Sequence, residues 1–190
     1  MSLHLRMIRA AKLDVSVYEE VEADEAALGQ AMLVVILSSF AGGIGMGLAG
    51  IAGEGSWLSF LVLGTLVSLI AWYLWALLTY VIGTTIFKGP ETSANLGELL
   101  RTTGFSASPG TLRVLVFIPG IGPIISFVAL VWMLVAMVIA VRQALDFSTA
   151  RAIGTCVVGW IIQILIVGVV YMVFGMGGNV PAGAFSLGCS

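Results

Sequence analysis

Few side chains in this sequence are equipped for chemistry, and their spacing narrows what that chemistry could be. The only histidine, His4, stands in a polar N-terminal segment, so no haem or chlorophyll buried in the chain can take a histidine ligand from it. Cys156 and Cys189 lie far apart and fit no metal or redox motif. Cys156 falls in an apolar run, where a thiol packs as a small hydrophobe, and Cys189 sits in the tail as a free thiol. Residues 45–50 read GMGLAG, a formal GxGxxG, but no strand precedes it and no acid follows about 20 residues on, so the dinucleotide reading fails. No Ser/His/Asp or Cys/His set can be assembled. The sequence therefore predicts no catalytic residue, no cofactor and no metal, and the chain does not read as an enzyme.

Two polar features have a functional and a structural reading side by side. Asp14, Glu19, Glu20, Glu22, Asp24 and Glu25 form an acidic run that is either a docking surface for a basic partner or a solvated helix face. Gln163 is the most polar residue near the centre of an apolar run, suited to a substrate hydrogen bond or to a bond between helices. No acid, lysine or histidine lies deep in an apolar run, which counts against a proton or ion pump.

The elements that must position these residues follow from composition. The chain has 190 residues, 59% apolar and 9% charged, with a mean hydropathy of +1.11. A soluble domain carries about 25% charged residues, and a chain of this length cannot bury so much apolar surface in a core of its own. The bilayer is the solvent that fits. A net charge of −2 offers no case for nucleic acid. The first apolar run starts behind six acids, unlike a secretory signal, so it is expected to stay as a transmembrane helix.

Residues 1–13 show a moderate amphipathic pattern, with Leu3, Met7, Ala10 and Ala11 on one face and Arg6, Arg9 and Lys12 largely opposite. This predicts a short helix lying on the cytoplasmic leaflet, with Leu3, Met7 and Ile8 in the lipid. Spans are expected at 30–53, 57–87, 121–141 and 152–174. The first carries a small-residue pattern through Gly43, Gly47 and Gly50, which lets helix backbones approach closely in lipid. GEGS at 53–56, with Glu54, is a tight connection. Trp57 and Tyr80 suit interfacial belts, while Trp72 and Trp75 are expected to pack, as are Ser68, Thr79 and Ser126.

Residues 88–111 are expected to form the main loop, with Asn95 and Glu98 capping a short interfacial helix that ends near Gly104. Ser108 and Pro109 then look like the cap and first residue of another helix. Residues 109–118 are too few for an untilted α-helical span, and PGIGP at 119–123 allows either a turn or a kink. Charge favours the turn. With five spans, the eight basic residues Arg6, Arg9, Lys12, Lys88, Arg101, Arg113, Arg142 and Arg151 all fall on one side. The positive-inside rule makes that side cytoplasmic. The expected fold is thus all-α, a polytopic transmembrane helical bundle of five spans, N-terminus cytoplasmic and C-terminus external. Residues 1–28 form a cytoplasmic segment, 29–175 the bundle and 176–190 an external Gly-rich tail.

Arg101 with Gly104-Phe105 and Pro109, then Pro119 with Gly122, then Trp132, then Arg142 and Thr149-Ala150-Arg151-Ala152 resemble the Yip1-domain family in its prokaryotic branch. The run LDVSVYEEVEADEAALGQA is similar to that family's helix before the first span. The resemblance covers nearly the whole chain and implies a five-helix membrane domain with a cytoplasmic N-terminus. Eukaryotic members are associated with membrane traffic and binding of Rab-type GTPases. Their Asp-Leu-Tyr-Gly-Pro and Gly-Tyr elements are not found here, so GTPase binding is not carried over. The expected partners are membrane lipids and other integral membrane proteins or a second copy of this chain, in a prokaryotic cell membrane. The expected role is a non-enzymatic membrane scaffold, with a transporter or channel for a neutral or lipid-like solute, or a membrane-shaping protein, as rivals.

Overall fold

A computed structural model describes residues 1–50, 57–89, 92 and 95–175, and every regular element among them is a helix. The expected GEGS connection, Glu54, Cys189 and the Gly-rich tail lie outside the described residues. Two short helices, α1 (Leu3–Ala11) and α2 (Val15–Ala23), precede two long ones, α3 (Ala27–Leu48) and α4 (Trp57–Thr85). Then come α5 (Leu96–Phe105), a 3₁₀ helix (Ser108–Phe117), α6 (Gly122–Ala144) and α7 (Thr149–Gly175). Four segments are long and apolar enough to cross a membrane: Ala27–Leu48, Leu61–Thr85, Gly122–Ala144 and Thr149–Ile166. The outer surface agrees with a lipid solvent. Leu63, Val67, Ile70 and Leu74 line one face of α4 at helical spacing and are all more than half exposed.

The interior is made of small and polar residues instead. Ala27, Ala31, Ala76, Ala129, Ala136, Ala140, Ala144 and Ala152 are fully buried. In lipid, helices gain from close van der Waals contact rather than from hiding apolar surface, so short side chains collect between them. Gly104 lies on Ala31, Gly110 faces Ser38, and Gly45 meets the backbone carbonyl of Arg113. These three contacts run α5 and the 3₁₀ helix, as one column, parallel to α3.

That column corrects two expectations. Residues 96–105 do form a helix, with Asn95 and Glu98 making a reciprocal capping box. It is not interfacial: Leu99, Thr102, Thr103, Gly104 and Phe105 are buried, and α5 is packed between α2, α3, α4 and α6. Hydroxyls are tolerated there because each turns back on its own helix. Thr102 donates to the carbonyl of Glu98, Thr103 to that of Leu99, and Ser106 to that of Thr103.

Nor does the column end short. Ten residues of 3₁₀ helix rise about 20 Å, at about 2.0 Å each, where an α-helix of the same length would rise about 15 Å. Pro109 near its start fixes φ and has no N–H to lose. At its end Gly120 takes φ of +82°, a conformation open to glycine, and the chain reverses. Gly122 N–H donates to the Ile118 carbonyl at 3.0 Å. A methyl on Gly122 would overlap the Val116 carbonyl. PGIGP is therefore a tight turn and not a kink.

Candidate functional site

Two places hold the polar side chains. The first is the N-terminal hairpin α1–α2 and the end of the bundle it covers. The α1 helix is strongly amphipathic, but not in the expected way. Leu3 and Met7 pack inward against Val17, Tyr18 and Phe105, and Arg6 is also inward, only 3% exposed. Its guanidinium donates to Glu20 at 2.9 Å, Asp24 at 2.6 Å and Gln30 at 3.0 Å. Arg9 bonds Asp14 at 2.7 Å and Glu20 at 3.0 Å. With the basic face drawn to the acids of α2, the outward residues are Met1, Leu5 and Ile8. The acidic run thus spends three of its carboxylates on folding.

Arg101 anchors the hairpin to the bundle. Its Nε donates to the Val21 carbonyl at 3.0 Å and its Nη2 to the Glu22 carbonyl. The last carbonyls of a helix lack partners within it, and a cation there also complements the helix dipole. Trp132, halfway along α6, donates through Nε1 to the Ala11 carbonyl at 2.7 Å, and Gln143 donates to Glu19 at 3.0 Å. Glu19, Glu22, Glu98 and Asp146 converge here without an ion pair among the described residues. Burial, with Asp146, Glu98 and Glu19 adding repulsion, pushes the Glu22 carboxyl up to about 7.

The second place is a cavity of about 790 Å³ among α3, α4, the 3₁₀ helix, α6 and α7. Trp72 and Trp75, expected to pack, form part of its wall, bonded through their indole nitrogens to Thr103 and to the Met137 sulfur. Ser38, Ser39, Ser126, Gln163 and Arg113 put polar groups on it. Arg113 was expected beside the other cations. Instead its guanidinium lies over Gly42, with Cζ 3.5 Å from where a side chain there would begin. Gly42 is about 22 Å along α3 from Ala27, at about 1.5 Å per residue. The 3₁₀ stretch carries Arg113 that far, while the other seven cations stay near the hairpin end.

The remaining expected residues fall in several places. Gly43 packs on the Leu61 side chain, whereas nothing among the described residues lies within 4 Å of a methyl placed on Gly47 or Gly50. The tight backbone approach along α3 is at Gly45, which the GxxxG pattern did not single out, and Gly42 is in ordinary contact with the Arg113 side chain. Pro119 and Pro123 flank the far turn, and Pro109 is buried. Arg142 and Arg151 are exposed at the hairpin end, with Gly89 against the Arg151 guanidinium. Among the described residues no cluster of His, Cys, Asp or Glu could hold a metal ion.

An all-helical chain with its small residues inside, its large apolar ones outside, and a polar hairpin locked by Arg101 is what the comparison with families must explain. The Yip1 domain family model matches residues 15–175. This chain belongs to the Yip1 domain family. The match begins at the first residue of α2 and ends at the last residue of α7, so α2 is part of the domain and α1 precedes it. No match is found among curated proteins or among solved structures. The chain is a multi-pass membrane protein.

Proposed function

We propose that this Yip1-domain protein is a non-enzymatic scaffold in a prokaryotic cell membrane, holding other integral membrane proteins, or a second copy of itself, through its hairpin end. The column of α5 and the 3₁₀ helix serves as the third of five spans. Residues 1–28 then lie in the cytoplasm, since seven of the eight cations gather at that end, and the C-terminus is external. The observation that carries the reading is the carboxylate group Glu19, Glu22, Glu98 and Asp146. These acids are left without an ion pair among the described residues after Arg6 and Arg9 have been matched, and Asp146, Glu98 and Glu19 add their repulsion to the burial of Glu22. A cationic segment of a partner relieves that repulsion.

Extraction in mild detergent followed by native mass spectrometry of everything retained tests it. A stable partner, lost on Glu19→Lys/Glu98→Lys, supports the reading. A monodisperse monomer with nothing attached sinks it. A second reading, a carrier for a neutral or lipid-like solute, is favoured by the cavity beside Ser126 and Gln163.

A further inference from the structure

The cavity is mostly apolar, yet Arg113 stands on its wall with no carboxylate in ion-pair reach among the described residues; the ion pairs there are confined to the hairpin. Ser39, Ser126 and Gln163 line the same space, and Ser38 lies beside it with its hydroxyl turned on Gly110. A guanidinium offers only donors, and Arg113, exposed at the cavity, spends none of them on an ion pair among the described residues. Hydroxyls and a carboxamide supply more donors around it. The complement is an oxyanion.

The rest of the wall, with Leu61, Phe127, Leu130 and Trp160, excludes a small hydrated anion and suits a hydrocarbon chain. From charge complementarity on one side and apolar walls on the other, we infer that the cavity binds one anionic lipid, its headgroup oxyanion on Arg113 and an acyl chain among α4, α6 and α7. Arg113 faces Gly42 and Gly45 near the end of α3 remote from the hairpin, a depth that places the headgroup towards an interface. The site shares the cavity with the carrier reading but not its transport step: a lipid bound and never moved satisfies it.

The test is native mass spectrometry of the full chain, stripped of lipid in detergent and titrated with phosphatidylglycerol, oleate, phosphatidylcholine and inorganic phosphate. One phosphatidylglycerol or one oleate per protein is expected, at least ten-fold tighter than phosphatidylcholine; which of the two is tighter tells a phosphate headgroup from a carboxylate. Arg113→Gln is expected to lose at least ten-fold, Arg113→Lys to keep most of the affinity, and Arg142→Gln to change nothing. Gly64→Leu starts from a position on the cavity wall where a methyl meets open space, and is expected to block binding while Arg113 stays in place. Equal binding of phosphatidylcholine, competition by inorganic phosphate at equal concentration, or full binding by Arg113→Gln or Gly64→Leu overturns the inference. Flux of a solute through liposomes reads the carrier reading separately, and its absence leaves lipid binding standing.

Discussion

Arg6 and Arg113 carry the same guanidinium into opposite surroundings. Arg6 is buried in the hairpin and meets Glu20, Asp24 and Gln30, so its donors are spent within the chain. Arg113 stands on a cavity wall with no described partner. A group whose donors are spent within the chain is accounted for by folding; Arg113, exposed and unpaired among the described residues, is not. The same division separates α3's glycines. Gly45 closes on the backbone of the 3₁₀ helix, and Gly47 closes on nothing described.

The largest expected effect is on the satisfied arginine. Arg6→Ala leaves Asp24 without its partner and Glu20 with Arg9 alone in a partly buried site, and should cost about 3 kcal/mol, the low end for a broken buried pair because both acids are about one-third exposed. Arg113→Ala in lipid-free detergent should change stability by less than about 0.5 kcal/mol. Thermal unfolding followed by tryptophan fluorescence measures both. Equal losses would erase the distinction between the two arginines. Next comes the glycine pair. Gly45→Ala drives a methyl into the Arg113 carbonyl and should cost about 2 kcal/mol. Gly47→Ala meets open space and should stabilise by up to about 1 kcal/mol through helix propensity. If the two glycines respond alike, the parallel seating of the 3₁₀ helix on α3 is wrong.

How much of this was readable in advance depended on whether a residue's partner is local. The four long apolar helices, the Asn95–Glu98 capping box and the turn at Gly120 are set by neighbours in sequence, and they were legible. The burial of α5 was not. Thr102, Thr103 and Ser106 lower its hydropathy and mimic a loop, but each bonds a carbonyl three or four residues back and so enters the core satisfied. The orientation of α1 failed for the opposite reason. The acids that draw its basic face inward lie on and beside α2, from 5 to 18 residues away, and the periodicity of α1 alone does not announce them. Arg113 was counted with the cations of the hairpin end because the length of the column depends on a 3₁₀ rise that composition does not announce. Gln163 and Ser126 were legible as polar residues in apolar runs; that they face one cavity is a product of packing.

The smallest effect distinguishes the hairpin by pH. Glu22 has its carboxyl pushed from 4.5 up to about 7 by burial and by Asp146, Glu98 and Glu19. Between those two values the folded chain holds a proton that the unfolded chain has lost, so stability falls as pH rises from about 5 to 7 and the full penalty remains above it. Complete transmission of the shift would amount to about 3 kcal/mol; with the side chain half exposed, solvent screening reduces this to about 1 kcal/mol. Glu22→Gln cannot ionise. Its melting temperature should therefore match the wild type at pH 5 and exceed it at pH 8. Asp14 and Asp24 act in the other direction and at another pH. Bonds from Arg9 and Arg6 hold them below the usual range, so their contribution is present at neutral pH and is lost as pH falls below about 4. An unfolding profile from pH 2 to 9 reads the two windows separately. If Glu22→Gln is no more stable than the wild type at pH 8, the leftover acids do not repel one another, and the hairpin end has no electrostatic reason to seek a cationic partner.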